Sequence, residues 1–572
     1  MNKKLNGIAA SNGIAIANVY KIDNQPLIIE DYLIDDVQRE ILLFQQAQKD
    51  SIIQIEKIKD IAAKSLNEEE LDVLNSHILI ANDPAIFDQI KELIETNKFN
   101  GPKAINQVKE SYVEIFSSMD DEYMRERAAD VKDVYERIIK NFLKIPIADL
   151  SAIDKEVIIV ADDLTPSETA QLNKKYVKGF LTNIGGRTSH SAIMARTLEI
   201  PAILGLKNIT EIVNNDDVVA INGNSGQLII NPSKEEIHLF EQEYLKYIEY
   251  KKQLKQFASK PSITKDGRQI IIASNIGSPV DVTNAIKVGS EAIGLFRSEF
   301  LYMDSENWPN EEEQFNAYKQ VIEKMSPKQV VIRTLDIGGD KTLKYFKFPE
   351  EMNPFLGYRA IRMSLDMVES FRVQLRALIR ASVYGNLAIM FPMISTINEF
   401  KQAKAIFDQE KAKLVAQGLE LKNKIEVGMM VETPAAAVLT EQFCHYADFV
   451  SIGTNDLMQY SMAADRMNEK VSYLYQPLNP SILRLIKMTI DGAHKAGKWV
   501  GMCGEMAGDM NAIPLLLGMK LDEFSMSSSS VLEARKLISE INFSDAHKLM
   551  HKALHMESQE QVEQLLKEFF KK

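Results

Sequence analysis

From about residue 265 to its C-terminus, the chain repeats one pattern: a short apolar segment, a polar or glycine-bearing turn, and a stretch with helical periodicity. Eight apolar segments of this kind read IIIASNIGS, AIGLFRSEF, VVIRTLDIGG, AIMFPMIS, VGMMVETP, FVSIGTNDL, WVGMCGEMAG and EFSMSSSS. Eight strand-then-helix units in succession are typical of a (β/α)8 TIM barrel. A doubly wound sheet is the alternative with the same local pattern.

The rest of the chain divides by other patterns. Short apolar segments closed by Gly, Asn or Asp occupy residues 1–25 and 146–231 and predict one α/β domain. Residues 30–145 have helical periodicity and only two prolines, so a helical bundle inserted into that domain is expected over residues 26–145. A charged helix is expected to act as a linker over residues 232–262, and the barrel is expected over residues 263–572. The sequence thus predicts an α/β multidomain chain.

The inserted helical region carries most of the negative charge. It holds 24 Asp and Glu against 15 Lys and Arg between positions 31 and 145, in a chain of formal net charge −13. A solvated bundle surface is one interpretation of this excess, and a docking face for a basic partner is the other. The net charge argues against nonspecific nucleic-acid binding as the main activity.

The cysteine content and the N-terminus indicate a compartment. Cys444 and Cys503 are the only cysteines and form no disulfide framework, which fits a reducing cytoplasm. Asn and Gly residues interrupt the apolar stretch in MNKKLNGIAASNGIAIANVY, so we expect a β-hairpin with Asn12 and Gly13 at its turn, not a signal peptide. The longest apolar runs are far too short for a membrane span, so we expect no membrane insertion.

In a TIM barrel, the side chains that carry function lie at the carboxyl ends of the strands. At these positions the sequence has arginines, carboxylates, one amide and one thiol, namely Arg297, Glu299, Arg333, Asp336, Glu432, Asn455, Asp456, Arg466, Cys503 and Glu505. A lone arginine such as Arg333 is more often part of a structural ion pair than of a ligand site. Cys503 is the only titratable thiol at a strand end and can move a proton.

The set taken together favours a small polyanionic ligand. Arg297, Arg333 and Arg466 can bind phosphate or carboxylate through bidentate contacts. Glu432 and Asp456 follow neighbouring strands and can hold a hard cation such as Mg²⁺, with water and substrate oxygens completing an octahedron. Such a cation would bridge the phosphate and carboxylate of one ligand.

A second candidate site lies in the α/β region, within NIGGRTSHSAIMAR. Gly185 and Gly186 allow a tight turn after an apolar strand, and Thr188 and Ser189 are favourable N-cap residues. His190 is therefore expected in the first helical turn, where free N–H groups and the helix dipole favour an anion. A neutral imidazole there suits a nucleophile toward a phosphoryl group. A histidine that caps or packs on its own helix is the alternative.

Longer stretches resemble the signatures of one family. They read DLTPSETAQLN, GGRTSHSAIMARTLEIPAILG, IGLFRSEFLYM, RTLDIGGDK, NPFLGYRAIR, VETPAAAVL, SIGTNDLMQYSMAADR and GMCGEMAGD. In this order and at this spacing, over essentially the whole chain, they resemble enzyme I of the bacterial phosphoenolpyruvate-dependent sugar phosphotransferase system. A run of long motifs is far more specific than any one of them.

The resemblance implies a reaction. A phosphoryl group is expected to pass from phosphoenolpyruvate to His190 and then to a histidine of the small phosphocarrier protein HPr, with release of pyruvate. Arg297 and Arg333 are implied to bind the phosphate, while Asn455 and Arg466 help to hold the substrate.

The same resemblance implies further roles. Arg359, in NPFLGYRAIR, is expected close to the substrate, Glu432 and Asp456 are expected to bind Mg²⁺, and Cys503 is expected to protonate the enolpyruvate carbon. The family forms homodimers through its barrel. HPr is expected to dock on the helical insert, which agrees with the acidic excess there.

One histidine that serves two sites requires movement. The α/β domain that carries the phosphohistidine is therefore expected to swivel about linkers near 145–150 and 231–262. Pyruvate phosphate dikinase and phosphoenolpyruvate synthase are alternatives with a similar domain and barrel. They need a nucleotide-grasp domain, whereas short strands and a helical bundle precede the α/β block here and no GxxxxGK loop occurs. A regulatory protein on the same scaffold would lack His190, Cys503 or the metal carboxylates, and all are present.

The surroundings of His190 contain one departure from the family's pattern. Asn183 stands before the Gly-Gly turn, where an aspartate is expected more often, and an amide there can alter the basicity of the histidine. Arg187 and Arg196 are expected to add positive charge beside it.

Overall fold

The computed structural model describes residues 2–22, 27–62, 68–117, 122–186, 189–198, 200–303, 305, 307–339, 341, 343, 345–466 and 468–571. Within these ranges, the side chains of residues 68–72, 117, 122–127, 166, 190, 193, 197 and 469 are not described. The chain divides into two compact units, Met1–Tyr250 and Lys251–Lys572. No helix in the described ranges is both long enough and apolar enough to cross a membrane.

The first unit is built on a mixed eight-stranded sheet. Its strands are β1 Lys3–Asn6, β2 Ile8–Ser11, β3 Ile14–Lys21, β4 Val157–Ala161, β5 Val177–Thr182, β6 Ala202–Leu204, β7 Val218–Asn222 and β8 Gln227–Ile230. Their order is β1-β8-β7-β3-β4-β5-β6-β2. The run from β3 to β6 is parallel. Every residue of β4 is buried, as expected for a central strand that is covered on both faces.

Long helices lie between β3 and β4 in the chain and have their own core, which includes Phe44, Ile55, Ile90 and Val134. The helices described up to the end of this unit are α1 Val37–Ala62, α2 Glu68–Ala81, α3 Pro84–Asn97, α4 Gly101–Ser117, α5 Glu122–Phe142, α6 Pro166–Thr169, α7 His190–Thr197, α8 Ile209–Ile212 and α9 Lys234–Lys255. The division between the two units falls within α9.

The hairpin predicted at Asn12 and Gly13 is wrong. Both flanking segments are strands, but β2 pairs with β6, whereas β3 pairs with β4 and β7. Gly13 has a φ of 138°, its N–H donates to Asn224 Oδ1 (3.2 Å), and its carbonyl accepts from the N–H of Gly223 (2.8 Å). The N–H and carbonyl of Gly13 are therefore hydrogen-bonded to Asn224 and Gly223, far along the chain. In a two-residue hairpin the backbone hydrogen bonds would instead join the two adjacent strands.

The second unit contains a closed barrel of eight parallel strands. They are β9 Ile271–Ile276, β10 Ala292–Arg297, β11 Gln329–Arg333, β12 Asn386–Phe391, β13 Glu426–Val431, β14 Phe449–Ile452, β15 Trp499–Met502 and β16 Glu523–Ser527. All eight segments singled out in the sequence supply these strands, so the predicted TIM barrel is confirmed. The pairing of β16 with β9 closes the barrel and excludes the open doubly wound sheet.

Helices follow the strands around the barrel. The structure describes α10 Val282–Lys287, α11 Phe300–Met303, α12 Glu311–Met325, α13 Ile361–Asp366, α14 Val368–Ala381, α15 Ile397–Ala416, α16 Pro434–Val438, α17 Thr440–Phe443, α18 Thr454–Met462, α19 Pro480–Lys495, α20 Ile513–Gly518, α21 Val531–Glu540, α22 Phe543–Ala553 and α23 Gln559–Phe570. Their apolar faces and the outward side chains of the strands form the largest core of the protein.

Strand side chains alternate between the helix layer and the barrel interior. Ile332 packs in the helix-facing core, while its neighbour Val331 lies in the interior cluster together with Met430. Two residues beyond these interior positions, the same alternation brings Arg333 and Glu432 to the carboxyl end of the barrel. The strand pattern alone therefore places charged side chains at this end.

A buried arginine ties the start of this unit to the barrel. Arg535 of α21 donates to the carbonyls of Phe257 (2.8 Å), Val288 (3.3 Å) and Gly289 (2.7 Å) and to the hydroxyl of Ser262 (3.1 Å). Burial lowers the pKa of Arg535, yet an arginine remains charged at neutral pH. Its planar group can satisfy four acceptors at once.

We expect Arg535→Met to lower the free energy of unfolding of the barrel unit by about 3 kcal/mol, because it leaves buried acceptors without donors. Arg484→Met is the control, since the exposed Arg484 donates to one carbonyl, that of Leu554 (2.9 Å). Calorimetry of the two variants checks the difference. Equal losses would show that the Arg535 contacts contribute nothing beyond a surface hydrogen bond.

Candidate active site

The carboxyl ends of β10 and β11 carry a buried cluster of opposite charges. Arg333, the last residue of β11, donates from Nη1 to Asp336 Oδ2 (2.7 Å) and from Nη2 to Glu299. Lys341 Nζ lies 2.7 Å from Glu299 Oε1. Arg333, Asp336 and Glu299 are all buried, so direct partners compensate each charge and hold the guanidinium in one orientation.

A second arginine joins this cluster through Asp336. Arg359 Nη2 donates to Asp336 Oδ1 (3.1 Å), and Nη1 lies 3.5 Å from Asp456 Oδ1 and 3.1 Å from the Tyr460 hydroxyl. That hydroxyl donates in turn to the carbonyl of Phe355 (2.6 Å). The two oxygens of Asp336 therefore orient two different guanidinium groups.

The arginines decide the ionisation of their partners. Burial alone would raise the pKa of Asp336, but Arg333 and Arg359 outweigh burial and hold that pKa well below its usual range. Burial also acts on Glu299, whose pKa Arg333 and Lys341 lower overall. Both carboxyl groups are therefore ionised at neutral pH.

Glu432 has a different environment, although it is equally buried. Its Oε1 accepts from the backbone N–H of Met393, while Oε2 has no hydrogen-bond partner among the described residues. Burial raises the pKa of Glu432 to about 8, and the charge of Asp456 adds to the rise. A Cβ at Gly453 would lie 3.0 Å from Oε2, so the glycine leaves this oxygen approachable.

A buried carboxyl oxygen that lacks a partner and lies near a second carboxylate fits a hard divalent cation. In the described ranges, no group of three or more His, Cys, Asp or Glu residues is arranged to hold a metal ion. Glu432 and Asp456 would therefore supply two ligands, and the substrate and water would supply the others. The cation would provide the charge compensation that Glu432 lacks.

The thiol of Cys503 lies in the barrel interior just beyond β15. Its Sγ is 3.9 Å from the carbonyl oxygen of Ile452, and its backbone N–H donates to the same oxygen (3.2 Å). Burial raises the pKa of this thiol to about 11, and the nearby Ser451 hydroxyl opposes part of that rise. Cys503 is therefore protonated at neutral pH and suited to donate a proton.

The remaining predicted ligands lie toward solvent. Arg297 is exposed and is the Cα partner of Arg333 across β10 and β11. Asn455 Oδ1 accepts from the Tyr475 hydroxyl (3.3 Å). The guanidinium of Arg466 lies 5.8 Å from the centre of the Phe355 ring, the same distance as that of Arg359.

His190 begins helix α7 in the first unit. Gly185, with φ of 109°, turns the chain after β5, and the Ser189 side chain caps the helix by accepting from the N–H of Ala192 (3.3 Å). The side chain of His190 and the neighbouring Arg187 and Thr188 lie outside the described residues. The backbone places the histidine where anions are favoured, at a helix start.

Whether Arg196 adds positive charge beside His190 stays a prediction, because the side chain of His190 is not described. Arg196 lies in the last turn of α7, and its Nη1 donates to the carbonyl of Ala10 (3.0 Å). The side chain thus ties the far end of the helix to strand β2.

Asn183 links two neighbours. Its Nδ2 donates to Asp162 Oδ1 (2.8 Å) and Thr210 Oγ1 (2.7 Å), and its Oδ1 accepts from the N–H of Thr210 (3.2 Å). The family pattern favours a carboxylate at position 183. In this chain a carboxylate lies next to that position, because Asp162 accepts a hydrogen bond from the Asn183 amide. The Asn183 amide therefore donates hydrogen bonds to Asp162 and Thr210, and an ionised carboxylate at this position has no proton to donate.

Three contributors to the barrel cluster received no role from the sequence. Lys341, Phe355 and Tyr460 lie inside the motifs RTLDIGGDK, NPFLGYRAIR and SIGTNDLMQYSMAADR. Their partners are distant in the chain, for example 105 residues apart for the hydrogen bond from Tyr460 to Phe355. Membership in the motifs was the only available signal, because their contacts exist only in the folded barrel.

A parallel barrel with oriented arginines, a carboxyl pair and a thiol at the carboxyl ends of its strands defines an enzyme for a small polyanion. Family models agree with this class along the chain. Residues 251–543 match the PEP-binding domain of PEP-utilising enzymes, residues 6–127 match their N-terminal domain, and residues 153–226 match their mobile domain.

Curated relatives match over the full length. Proteins named phosphoenolpyruvate-protein phosphotransferase are 56% identical in Mycoplasma capricolum (100% of this chain, 99% of the relative) and 53% identical in Listeria innocua and Bacillus subtilis (100% of both chains). The chain therefore belongs to the PEP-utilising enzymes and, among them, to the phosphoenolpyruvate-protein phosphotransferase family. The resemblance to enzyme I drawn from the motifs is confirmed.

We expect Asn183→Asp to destabilise the first unit by about 1–3 kcal/mol at pH 7, because it sets a carboxylate against Asp162. Repulsion raises one carboxyl pKa above its unfolded value, so the loss is greatest at neutral pH and disappears as the pH falls below about 4. Thermal unfolding at several pH values measures this. The double variant Asn183→Asp with Asp162→Asn should recover stability, and a failure to recover would assign the loss to other contacts.

Proposed function

We propose that this protein transfers the phosphoryl group of phosphoenolpyruvate to His190 and then to a histidine of the phosphocarrier protein HPr, releasing pyruvate, as the first step of phosphotransferase-dependent sugar uptake. The observation that carries the proposal is the barrel mouth, where Asp336 orients two buried arginines beside a carboxyl pair and a protonated thiol. Cleavage of an enol phosphate needs these components: cations on the phosphate, neutralising charge and a proton donor.

The arginines have unused donors for the substrate. Arg333 Nε and Arg359 Nε are buried and lack a hydrogen-bond partner among the residues described. A bound anion would satisfy such donors, and Asp336 holds both groups in place before the substrate arrives, so little reorganisation is needed. In this proposal Arg297 joins them on the phosphate, while Asn455 and Arg466 hold the rest of the substrate.

Glu432 and Asp456 are proposed to hold Mg²⁺. When bound, the cation neutralises charge on the phosphate and carboxylate of the substrate. The chain's own part is to present two carboxyl oxygens, one of which, Glu432 Oε2, has no other partner in the described structure.

Cys503 is proposed as the acid of the reaction. Loss of the phosphoryl group leaves enolpyruvate, whose methylene carbon must gain a proton to give pyruvate. The thiol has a pKa of about 11 and so carries its proton at neutral pH. Its burial in the barrel interior keeps bulk water from competing for this proton transfer.

The phosphoryl acceptor and its partners complete the proposal. His190 receives the phosphoryl group at the start of α7, where backbone N–H groups favour a phosphate. It must then serve HPr, so the α/β domain is proposed to swivel about the linkers near 145–150 and 231–262. HPr would dock on the acidic helical region 26–145. A homodimer through the barrel and a cytoplasmic location, which fits two unpaired cysteines, belong to the same proposal.

Labelled phosphate should be transferred to the wild-type protein from phosphoenolpyruvate in the presence of Mg²⁺, giving an acid-labile, base-stable bond. His190→Ala should carry no label, and His445→Ala, which removes an exposed histidine of the barrel unit, should be labelled normally. Scintillation counting after acid and base treatment checks this. Retained label in His190→Ala would assign the acceptor to another residue.

We expect Glu432→Gln to weaken Mg²⁺ binding at least tenfold, because it removes one of about two protein ligands. Titration calorimetry of Mg²⁺ into protein with phosphoenolpyruvate, on the His190→Ala background to prevent turnover, measures the affinity. Glu426→Gln is the control at the other end of the same strand. Equal affinities for the two variants would place the metal elsewhere.

A further inference from the structure

The barrel interior contains a carboxyl group that the proposed mechanism does not use. Glu523, the first residue of β16, is 1% exposed, and neither of its carboxyl oxygens has a hydrogen-bond partner among the described residues. An ionised carboxylate without a partner is very costly in such a site, so the group is expected to be neutral. Burial, and after it the charge of Asp522, raises the pKa of Glu523 to about 8, which agrees with this expectation.

Two glycines make room for this side chain inside the barrel. A Cβ on Gly294 of β10 would lie 2.5 Å from Glu523 Oε1, and a Cβ on Gly501 of β15 would lie 3.0 Å from it. Any larger residue at these positions would collide with the carboxyl group or be squeezed against it. The space is thus shaped around a glutamic acid.

One row of residues across neighbouring barrel strands contains Ser451, Gly501 and Glu523. They are successive Cα partners across β14, β15 and β16. Ser451 Oγ is buried, lacks a hydrogen-bond partner in the described structure, and lies 3.3 Å from the position of a Cβ on Gly501. Ser451 Oγ and Glu523 Oε1 both lie around the Cβ position of Gly501 and are at most about 6.3 Å apart, a gap that one water molecule can bridge.

This row lies directly beneath the proposed acid. Cys503 lies two residues after Gly501, just beyond the end of β15, so both face the interior and are separated by about 6–7 Å along the chain. Ser451 immediately precedes Ile452, whose carbonyl oxygen lies 3.9 Å from Cys503 Sγ, and the Ser451 hydroxyl opposes part of the rise in the pKa of the thiol. Cys503 is 4% exposed, so its proton must come back through the protein interior or through the substrate site.

We propose that Glu523 and Ser451 form a proton relay beneath Cys503, in which a neutral glutamic acid restores the proton that the thiol gives to the substrate. This inference rests on the proposed function, because it requires Cys503 to act as the acid. Neither relay residue touches the substrate. Both act through Cys503.

The protons balance in this step. The S–H bond of Cys503 breaks while a C–H bond forms at the methylene carbon of enolpyruvate, and the electron pair of the S–H bond stays on sulfur. The Ser451 hydroxyl then gives its proton to the thiolate and takes one from the Glu523 carboxyl group, directly or through one water molecule. Glu523 is left as a carboxylate and takes up a proton from solvent before the next turnover.

The test compares Glu523→Gln with Glu426→Gln in the full-length protein. Glu426 begins β13 as Glu523 begins β16, but its Oε2 accepts from Gln329 Nε2 (2.8 Å) and Trp499 Nε1 (3.2 Å). Glutamine has the shape of a neutral glutamic acid and cannot release a proton. The fold is therefore preserved while the relay is broken.

With phosphoenolpyruvate, Mg²⁺ and a histidine phosphocarrier protein as acceptor, we expect a normal first turnover of Glu523→Gln, because the thiol begins protonated. Later turnovers should be slower by about tenfold or more, and KM should fall in the same proportion as kcat, because kcat/KM reports only the steps before the thiol is regenerated. The solvent deuterium isotope effect on kcat should be larger. Ser451→Ala should act in the same direction, and the double variant should be no slower than the slower single variant. Glu426→Gln should match the wild type.

Two results would overturn the relay while leaving the proposed function intact. One is equal steady-state rates for Glu523→Gln, Ser451→Ala and Glu426→Gln in a protein that forms phosphohistidine normally. The other is an infrared spectrum at pH 7 without the protonated-carboxyl band that Glu523→Gln should remove. A wild-type protein that forms no phosphohistidine would overturn both the relay and the proposed function.

Discussion

The barrel mouth depends on the bridge that Asp336 makes between Arg333 and Arg359. Each carboxylate oxygen binds one guanidinium, and all three groups are buried. Breaking such a bridge leaves charges uncompensated in a poorly solvated site, which costs far more than an exposed pair is worth. The bridge therefore sets the direction of both arginines, and through Arg359 it reaches Asp456 on the far side of the site.

Burial is accompanied by opposite ionisation states in two groups of barrel residues. Asp336 and Glu299 remain ionised because arginine or lysine partners outweigh desolvation. Glu432, Glu523 and Cys503 have no comparable partner, so burial raises the pKa of each. The group around Asp336 and Glu299 thus stays ionised and keeps its arginines in place for an anion. The group of Glu432, Glu523 and Cys503 can bind and release protons, and Glu432 can accept a cation. That division suits a reaction in which charge leaves the substrate and a proton arrives.

Much of the architecture could be predicted because strand periodicity and turns are local properties. The eight barrel strands were identified individually, and the alternation along β11 and β13 is enough to bring Arg333 and Glu432 to one end. The predicted hairpin failed for the converse reason, since β2 and β3 find better partners far along the chain. Arg359 entered only through a motif, because it follows no strand and reaches the site from a loop.

Residue identity and spacing are enough to give the available chemical groups, the succession of the barrel strands along the chain, and the family. Which of those groups are charged follows from the folded structure. Ionisation depends on burial and on partners that lie tens of residues away, such as Asp456 for Arg359 or Lys341 for Glu299. Barrel closure creates that low-dielectric interior, and it therefore assigns Asp336 to bind arginines and leaves Glu523 neutral.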